Sequence, residues 1–597
     1  MTVPPSIAAR FDDLRPGRER SFRLTGQVGV IQARALDEVG PALDRVEDAA
    51  RGGRWTAGFV AYEASPGLDP AICVREREPG DPFAELPLLW FAIFERREDV
   101  LAFEPVAVDD PATDEVAWTA SIDRARYDAS VAAIRERIAA GDTYQVNYTF
   151  RLRAEVHRDE RDLYRDLCLS QRGGYAAHFS TGPFGVLSAS PELFFRMDGD
   201  RITTRPMKGT APRGRWPEED EENAGRLASS PKDRAENAMV VDLLRSDLGR
   251  ISVPGTVRAN RLFQTERYET VWQLTSTVRS TLRPGMSLAD AFRALFPSGS
   301  VTGAPKVSTM GLIAELEDAP RGAYCGAIGY LAPPRSGEPR ANFNVAIRTV
   351  VLDRRSGVAE FGVGGGITYD SSAAGEFDEA VAKARVLTAR RPRFELLETL
   401  RHEPASGFRH LPEHLARLEA SARYFGFAFV RSDAEAILEK ALAELGGAEG
   451  VVRLLLARDG SVRIDLSEPP PSAPGPVRVA IHPQPVDPSD VWLFHKTTLR
   501  GPYKRRRDDR PDVDDIMLVN DRGEVTESTI ANVAVKLGDA WFTPSLGSGL
   551  LAGTYRAVLL REGRLRERTI RVEELGGAGG LALVSSVRAW RPAMLVP

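Results

Sequence analysis

Of the 79 basic residues in this chain, eight are lysine and 71 are arginine. A chain that meets its general need for surface charge with arginine keeps lysine where an amine able to lose its proton is required, because a guanidinium cannot do so. The eight are Lys208, Lys232, Lys306, Lys383, Lys440, Lys496, Lys504 and Lys536. Lys440, Lys504 and Lys536 sit among other charges without a motif and read as surface. Four segments ahead of residue 390 stand out. Ser188-Ala-Ser-Pro-Glu192 presents an acid at a strand end, and Arg205-Pro-Met-Lys208-Gly-Thr210 presents an amine sixteen residues later. The third is Lys232-Asp233-Arg-Ala-Glu236-Asn237. The fourth is Gly364-Gly365-Gly366-Ile-Thr-Tyr-Asp370, followed by Gly375-Glu376-Phe-Asp-Glu379-Ala-Val-Ala-Lys383. On helical spacing Asp233 and Glu236 share a face, as do Glu376, Glu379 and Lys383. Two helices that each offer carboxylates one turn apart suit a Mg²⁺ ion whose octahedron water completes. The glycine run ahead of a helix reads as a nest of backbone N–H groups for a carboxylate or phosphate. Each feature alone also fits a surface helix, a turn or a solvated side chain.

Beyond residue 393 a different set appears. Lys496 lies in Trp492-Leu-Phe-His495-Lys496-Thr497-Thr498, and thirty-one residues on Glu527 lies in Glu527-Ser-Thr-Ile-Ala-Asn532. Gly549-Leu-Leu-Ala-Gly553-Thr554 opens an apolar, arginine-studded helix, and His414 and Arg417 are three apart on an earlier one. A pyridoxal phosphate enzyme needs a Schiff-base lysine, an acid at the pyridine nitrogen and donors for the phosphate. Lys496 fits the first role, Glu527 the second, and Gly553 and Thr554 with Arg417 the third.

The spacing of apolar residues predicts the elements that carry these groups. Helices are expected over 121–141, 234–250 and 373–390, and strands at 145–150, 185–190, 324–332, 344–352 and 359–368. The polar run Thr388-Ala-Arg-Arg-Pro-Arg393 is a linker signal. After it a strand at 394–400 and a helix through His414 begin a second module, which the Pro-rich run at 468–476 divides. The 597 residues, 43% apolar, therefore read as two modules that are each α+β or α/β, and wholesale disorder is excluded. A net charge of −5 argues against a nucleic-acid binder. Cys73, Cys168 and Cys325 are too few for a disulfide framework and fit a reducing compartment. Charges where a leader needs an apolar run, and no apolar stretch long enough to span a membrane, point to a soluble cytoplasmic protein.

Taken in order, the first four segments resemble the chorismate-utilising enzymes, together with Phe296-Pro-Ser-Gly-Ser-Val-Thr302-Gly-Ala-Pro-Lys306, Gly326-Ala-Ile-Gly-Tyr330 and Asn344-Val-Ala-Ile-Arg348-Thr. The resemblance covers residues 116–388, and residues 1–115 match only loosely. It implies large antiparallel sheets forming a β-sandwich core with surrounding helices. It implies Mg²⁺ on Glu236 and Glu379, with Asp233 and Glu376 near it. Chorismate contacts are implied at Thr210, Gln273, Thr302, Tyr330, Arg348, Lys383 and the backbone of Gly364, Gly365 and Gly366. A dianionic substrate needs such cationic and N–H partners. The lysine at 208 resembles aminodeoxychorismate synthases, where anthranilate synthases carry alanine. It implies Lys208 as covalent nucleophile and Glu192 as acid and then base. Relatives usually have His before Leu-x-Ser; this chain has Gln273, which can donate a hydrogen bond but carries no charge. No Leu-Leu-Glu-Ser motif is present, so inhibition by tryptophan is not expected. None of the three cysteines lies in a glycine-rich elbow, so the implied partner is a separate glutamine amidotransferase subunit supplying ammonia.

The second set resembles the fold-type IV pyridoxal phosphate enzymes across residues 394–597, with 389–393 as linker. That implies a two-subdomain α/β module with Lys496 on pyridoxal 5'-phosphate and Arg417, Glu527, Asn532, Gly553 and Thr554 around it. A homodimer through this module is implied too. Ser585 stands where Asn is common. The adjacency of the modules implies successive reactions: chorismate to 4-amino-4-deoxychorismate, then elimination of pyruvate to give 4-aminobenzoate for folate. The alternatives are an amino-acid aminotransferase as second module, or an anthranilate- or salicylate-forming first module.

Overall fold

The computed structural model describes residues 8–104, 116–388, 392–471 and 475–597. Residues 1–7 and 105–115, part of the expected linker (389–391) and part of the Pro-rich run (472–474) lie outside them. Contacts divide the chain into two compact units. The first comprises Met1–Arg213 and Asn223–Arg393; the second comprises Phe394–Pro597 and the short segment Gly214–Glu222. That segment was assigned to the first module from sequence, and the structure moves it to the second.

Among the described residues of the first unit, eighteen strands join in one antiparallel system. Strand β1 (Gln145–Glu155) sets Val146, Tyr148 and Phe150 at alternate positions between Gln145, Asn147 and Thr149, and the three apolar side chains enter one core. β2 is Phe184–Ser190, β3 is Met207–Pro212, and helix α1 is Pro231–Gly249. Ser230 caps α1 by accepting from the Asp233 amide, and Pro231 fits the first turn, where its missing N–H costs nothing. β4 is Val271–Thr281, β5 is Ala327–Leu331, β6 is Thr349–Asp353, β7 is Val358–Ile367 and α2 is Ala373–Ala384. α2 ends six residues earlier than the sequence predicts, in a short 3₁₀ turn at Arg385–Leu387. The single strand expected at 344–352 is two strands, because Arg348 takes a left-handed conformation at φ 53° between them. Strands from the loosely matched N-terminal part belong to the same system: Trp55–Val60 pairs with β5.

The second unit contains a four-stranded antiparallel sheet with β8 (Leu396–Glu403) and β9 (Gly450–Leu456) at its centre. Helix α3 (Leu411–Phe425) buries Leu415, Leu418 and Ala422 against it and ends at Gly426 in the left-handed region. An eight-stranded mixed sheet contains β10 (Val525–Ser528) and β11 (Asn532–Leu537), and helix α4 (Thr554–Arg561) follows. Among the described residues no helix is long and apolar enough to cross a membrane.

Candidate active sites

In the first unit, β3, β4, β7, α1 and α2 surround a cavity of about 350 Å³. Lys208, Glu192, Thr210, Gln273, Arg348, Lys383, Asp233, Glu236, Glu376, Glu379 and Gly364–Gly366 all line it. Lys208 is aimed by a β-bulge. Met207 pairs with Thr275 and Thr210 with Gln273, so Lys208 and Gly209 together oppose Leu274. Gly209 sits at φ 90°, where a Cβ would be strained. Asn237 on α1 pins the bulge by donating to the Lys208 and Leu274 carbonyls at 3.4 and 3.1 Å. The lysine reaches into the cavity beside Gly366, where a Cβ would stand 2.6 Å from its Nζ.

Burial pushes the Lys208 pKa down; Glu236 opposes this and the Lys383 cation adds to it. Burial pushes Glu192 up to about 7, against hydrogen bonds from Ser300 and the Met207 amide and the charge of Lys208. An amine with a lowered pKa beside an acid that titrates near neutrality is the pairing that nucleophilic substitution requires. The Arg348 guanidinium is buried in the same wall, and its Nε has no partner among the described residues. A buried guanidinium with an unpartnered donor in a cavity wall is chemically suited to an anionic group. Gln273 donates to Thr210 Oγ1 at 3.1 Å, which fixes both side chains.

Four expectations change. Tyr330 lies outside this cavity. Strand alternation puts Ile328 and Tyr330 into one core and Ala327 and Leu331 into another, so Tyr330 lines a separate space with Phe11 and Phe22. Tyr324, ahead of the left-handed Cys325 at φ 61°, lines the cavity instead. Thr302 is fully buried behind the lining residues Ser300 and Val301 and donates to the Ser298 carbonyl at 3.1 Å. The glycine run is no helix-opening nest: Gly364–Gly366 lie inside β7, paired residue by residue with Thr149, Tyr148 and Asn147 of β1. Lys383 is committed, donating to the Gly364 carbonyl at 2.9 Å and pairing with Glu379 at 2.7 Å. Tyr324, Asn147, Ser300 and Met207 were missed as lining residues. The Tyr324-Cys-Gly turn was the signal for the first.

The four carboxylates share the cavity, yet no three described His, Cys, Asp or Glu side chains converge as a preformed metal cage. Glu376 accepts from Ser371 Oγ at 2.7 Å. Burial raises Glu236, as do the neighbouring charges of Asp233 and Glu376. A hard-oxygen wall with mutual repulsion suits Mg²⁺, which takes one or two protein carboxylates and fills its shell with water and ligand oxygens.

In the second unit, a cavity of about 490 Å³ is lined by Lys496, Arg417, Glu527, Asn532, Gly553, Thr554 and Ser585. Glu527 and Asn532 face each other across β10 and β11. Tyr503 donates to Glu527 Oε1 at 2.9 Å and the Leu551 amide to Oε2 at 3.2 Å. Burial nonetheless lifts Glu527 to about 7, with Arg500 pulling the other way. Burial lowers Lys496 to about 8, helped by the charges of Arg417 and Arg500. Asn532 holds the turn before α4 by donating to the Leu551 carbonyl at 2.8 Å. Gly553 and Thr554 place their amides at the start of α4, in the first turn, where a helix has no backbone acceptor of its own.

Arg417 is not a free phosphate clamp. Its Nε and Nη2 donate to Glu398 at 2.8 and 2.6 Å, and Nη1 donates to the Ala552 carbonyl at 3.0 Å. His414 Nδ1 meets the same carboxylate at 2.6 Å and its Nε2 lies 3.3 Å from Thr554 Oγ1. Burial works against the Glu398 charge, but Arg417 and His414 hold the group down at about 2. Glu398 was not singled out from sequence; an acid inside the apolar run Phe394-Glu-Leu-Leu-Glu398-Thr-Leu was its signal. A pyridoxal phosphate molecule would find its four needs met here: an amine of lowered pKa, a buried carboxyl, helix-terminal amides and an oriented arginine.

Residues 19–389 match the family described as chorismate binding enzyme, and residues 395–596 match amino-transferase class IV. Anthranilate synthase component 1 of Streptomyces coelicolor is 41% identical over 271 residues, 45% of this chain and 52% of that protein. Aminodeoxychorismate synthase component 1 of Klebsiella aerogenes is 42% identical over 267 residues, 45% of this chain and 58% of that protein. The chain spans about half the length of these curated relatives. The crystal structure of anthranilate synthase component I from Streptococcus pneumoniae superposes with a TM-score of 0.51 at 26% identity, covering 65% of this chain and 93% of that one. With well over half its length matched, the chain belongs to the chorismate binding enzyme family and carries a class IV amino-transferase module behind it.

Proposed function

We propose that this protein makes 4-aminobenzoate from chorismate and ammonia in two steps. The observation that carries the reading is Lys208, a buried amine of lowered pKa in the cavity that also holds Arg348 and Glu192. An anthranilate-forming site has no use for that amine. Lys208 Nζ bonds to C2 of chorismate, both ring double bonds shift (C1=C2 to C1=C6 and C5=C6 to C4=C5), and the C4 hydroxyl leaves as water with a proton from Glu192. Ammonia then bonds to C4, both double bonds shift back, and Lys208 is expelled as the free amine while Glu192 takes up the proton lost by the new ammonium. Two displacements account for retained configuration. Arg348 holds one substrate carboxylate. Glu236 and Glu379 would hold Mg²⁺, with Asp233 and Glu376 beside it, and the ion supplies charge neutralisation for the other carboxylate. Ammonia comes from a separate glutaminase subunit.

In the second unit Lys496 would bind pyridoxal phosphate, which would supply an electron sink. Glu527 would hold the proton on the pyridine nitrogen, and Gly553 and Thr554, with the donors of Arg417 that Glu398 leaves over, would seat the phosphate. Asn532 keeps the phosphate turn in place, and Lys496 Nζ moves the proton that lets pyruvate depart. A second copy of the chain completes this cavity as a homodimer. The reaction rests on adjacency: a unit that aminates chorismate is joined to one able to process the product.

The test is one incubation of the purified protein with pyridoxal phosphate, Mg²⁺, chorismate and excess ammonium at alkaline pH, followed by chromatography. 4-Aminobenzoate and pyruvate support both units. 4-Amino-4-deoxychorismate alone returns the second unit to the aminotransferase reading, and anthranilate or salicylate overturns the role of Lys208. Glu192→Gln keeps the shape and removes the proton, and is expected to lower amination by about 10²–10⁴-fold with little change in KM. For Lys496 the sign is that of a lysine whose folded pKa is depressed. The neutral, cofactor-reactive amine appears as pH rises through about 8 instead of 10.5. The rate at which the apoprotein takes up pyridoxal phosphate should follow that midpoint.

A further inference from the structure

We propose that Trp216, in the segment Gly214–Glu222 that belongs to the second compact unit, is a positioning residue for the Lys496 turn. The inference rests on the reading that Lys496 holds pyridoxal phosphate. Trp216 packs on Phe494, two residues before Lys496, with ring centroids 5.2 Å apart. The Arg215 guanidinium lies over both rings, 4.6 Å from Trp216 and 5.6 Å from Phe494, and donates to the Pro488 carbonyl at 3.3 Å. The residue between Phe494 and Lys496 is held from the same segment. The His495 ring packs at a tilt against Tyr424, 4.3 Å between centroids, and the Tyr424 hydroxyl donates to the Gly214 carbonyl at 2.7 Å.

The reach extends to the acid of the site. Trp216 covers the cluster containing Leu493, Phe494 and Tyr503, and Tyr503 donates to Glu527. One indole therefore supports the shelf from which both the amine and the carboxyl rise. The segment is built to stay in shape, since the Gly214 amide donates to Asp220 Oδ1 at 2.8 Å and the Arg215 amide to Glu219 Oε2 at 2.6 Å. It lies directly after the Lys208 strand in the chain, so the second unit is discontinuous in sequence. Residues 394–597 by themselves lack a piece of their own core.

The experiment uses the full chain, stripped of cofactor and titrated with pyridoxal phosphate by absorbance, for the wild type and for Trp216→Ala, Trp216→Leu and Trp216→Phe. Loss of the aromatic pair predicts about tenfold weaker cofactor binding for Trp216→Ala, with a shifted pH midpoint of the lysine-bound absorbance. Trp216→Phe should restore both, and Trp216→Leu should fill the space without restoring the midpoint. If the alanine variant is insoluble, the leucine variant carries the test by that midpoint. Variants that match the wild type in affinity and midpoint overturn the role of Trp216 alone. A wild type that binds no pyridoxal phosphate overturns the reading of the Lys496 cavity, and this inference with it.

Discussion

Lys208→Ala is expected to lower the conversion of chorismate and ammonia to 4-aminobenzoate by roughly 10⁴-fold or more, the scale seen when a nucleophile is deleted. The loss falls on kcat, because Arg348 and the rest of the cavity still bind the substrate. The variant should fold, since it removes a buried cation that burial already disfavours. Ammonia entering the vacated space can attack C2 directly, so a small flux of product aminated at C2 is expected by chromatography. Lys208→Arg provides the control for charge: the guanidinium keeps the cation but does not become a free base, and it should be as inactive as alanine. Full amination by either variant would overturn the covalent route. Loss of substrate binding without loss of kcat would leave Lys208 as an anion-binding group only.

Lys496→Ala is expected to stop the pathway halfway. 4-Amino-4-deoxychorismate accumulates at the wild-type rate of amination, while pyruvate release falls by about the same large factor as for Lys208. The variant also lacks the long-wavelength absorbance of lysine-bound pyridoxal phosphate. A burst of pyruvate from Lys496→Ala would place the elimination elsewhere. Glu527→Gln separates the two roles in that cavity: it leaves Lys496 to bind the cofactor but cannot hold the pyridine proton. Its absorbance should survive while turnover drops.

The glycine run and Tyr330 show where residue identity stopped being informative. A run of three glycines before a helix is a good description of an anion nest, yet here the run lies inside β7 opposite β1, whose Asn147 and Thr149 amides donate to the Thr302 carbonyl and Glu317 instead. Which way each glycine N–H points is decided by register with a strand about 200 residues away in sequence. Tyr330 was misplaced although its strand was expected, because the sequence alone leaves open which face meets the cavity. Arg348 was found by its motif, but the left-handed kink that interrupts the strand around it was not. Glu398 escaped notice because its neighbours in sequence are apolar, and its partners, His414 and Arg417, meet it only after the helix packs on the sheet. Lys383 and Arg417 do line the two cavities, yet both reach them already engaged by carboxylates.

What the amino-acid sequence by itself determined is the inventory: two lysines kept in an arginine-rich chain, the acids that answer them, the helices that bring carboxylates one turn apart, and the change of pattern near residue 393. Those follow from local periodicity and from chemistry that only certain side chains possess. The tertiary structure decided direction and environment. It aimed Lys208 through a bulge, turned Tyr330 away, set the glycines inside a strand, and buried Glu192 and Glu527 until they titrate near 7. It also assigned Trp216 to the second unit's core. Burial, strand register and packing depend on partners distant in the chain, and no local pattern encodes which partner arrives.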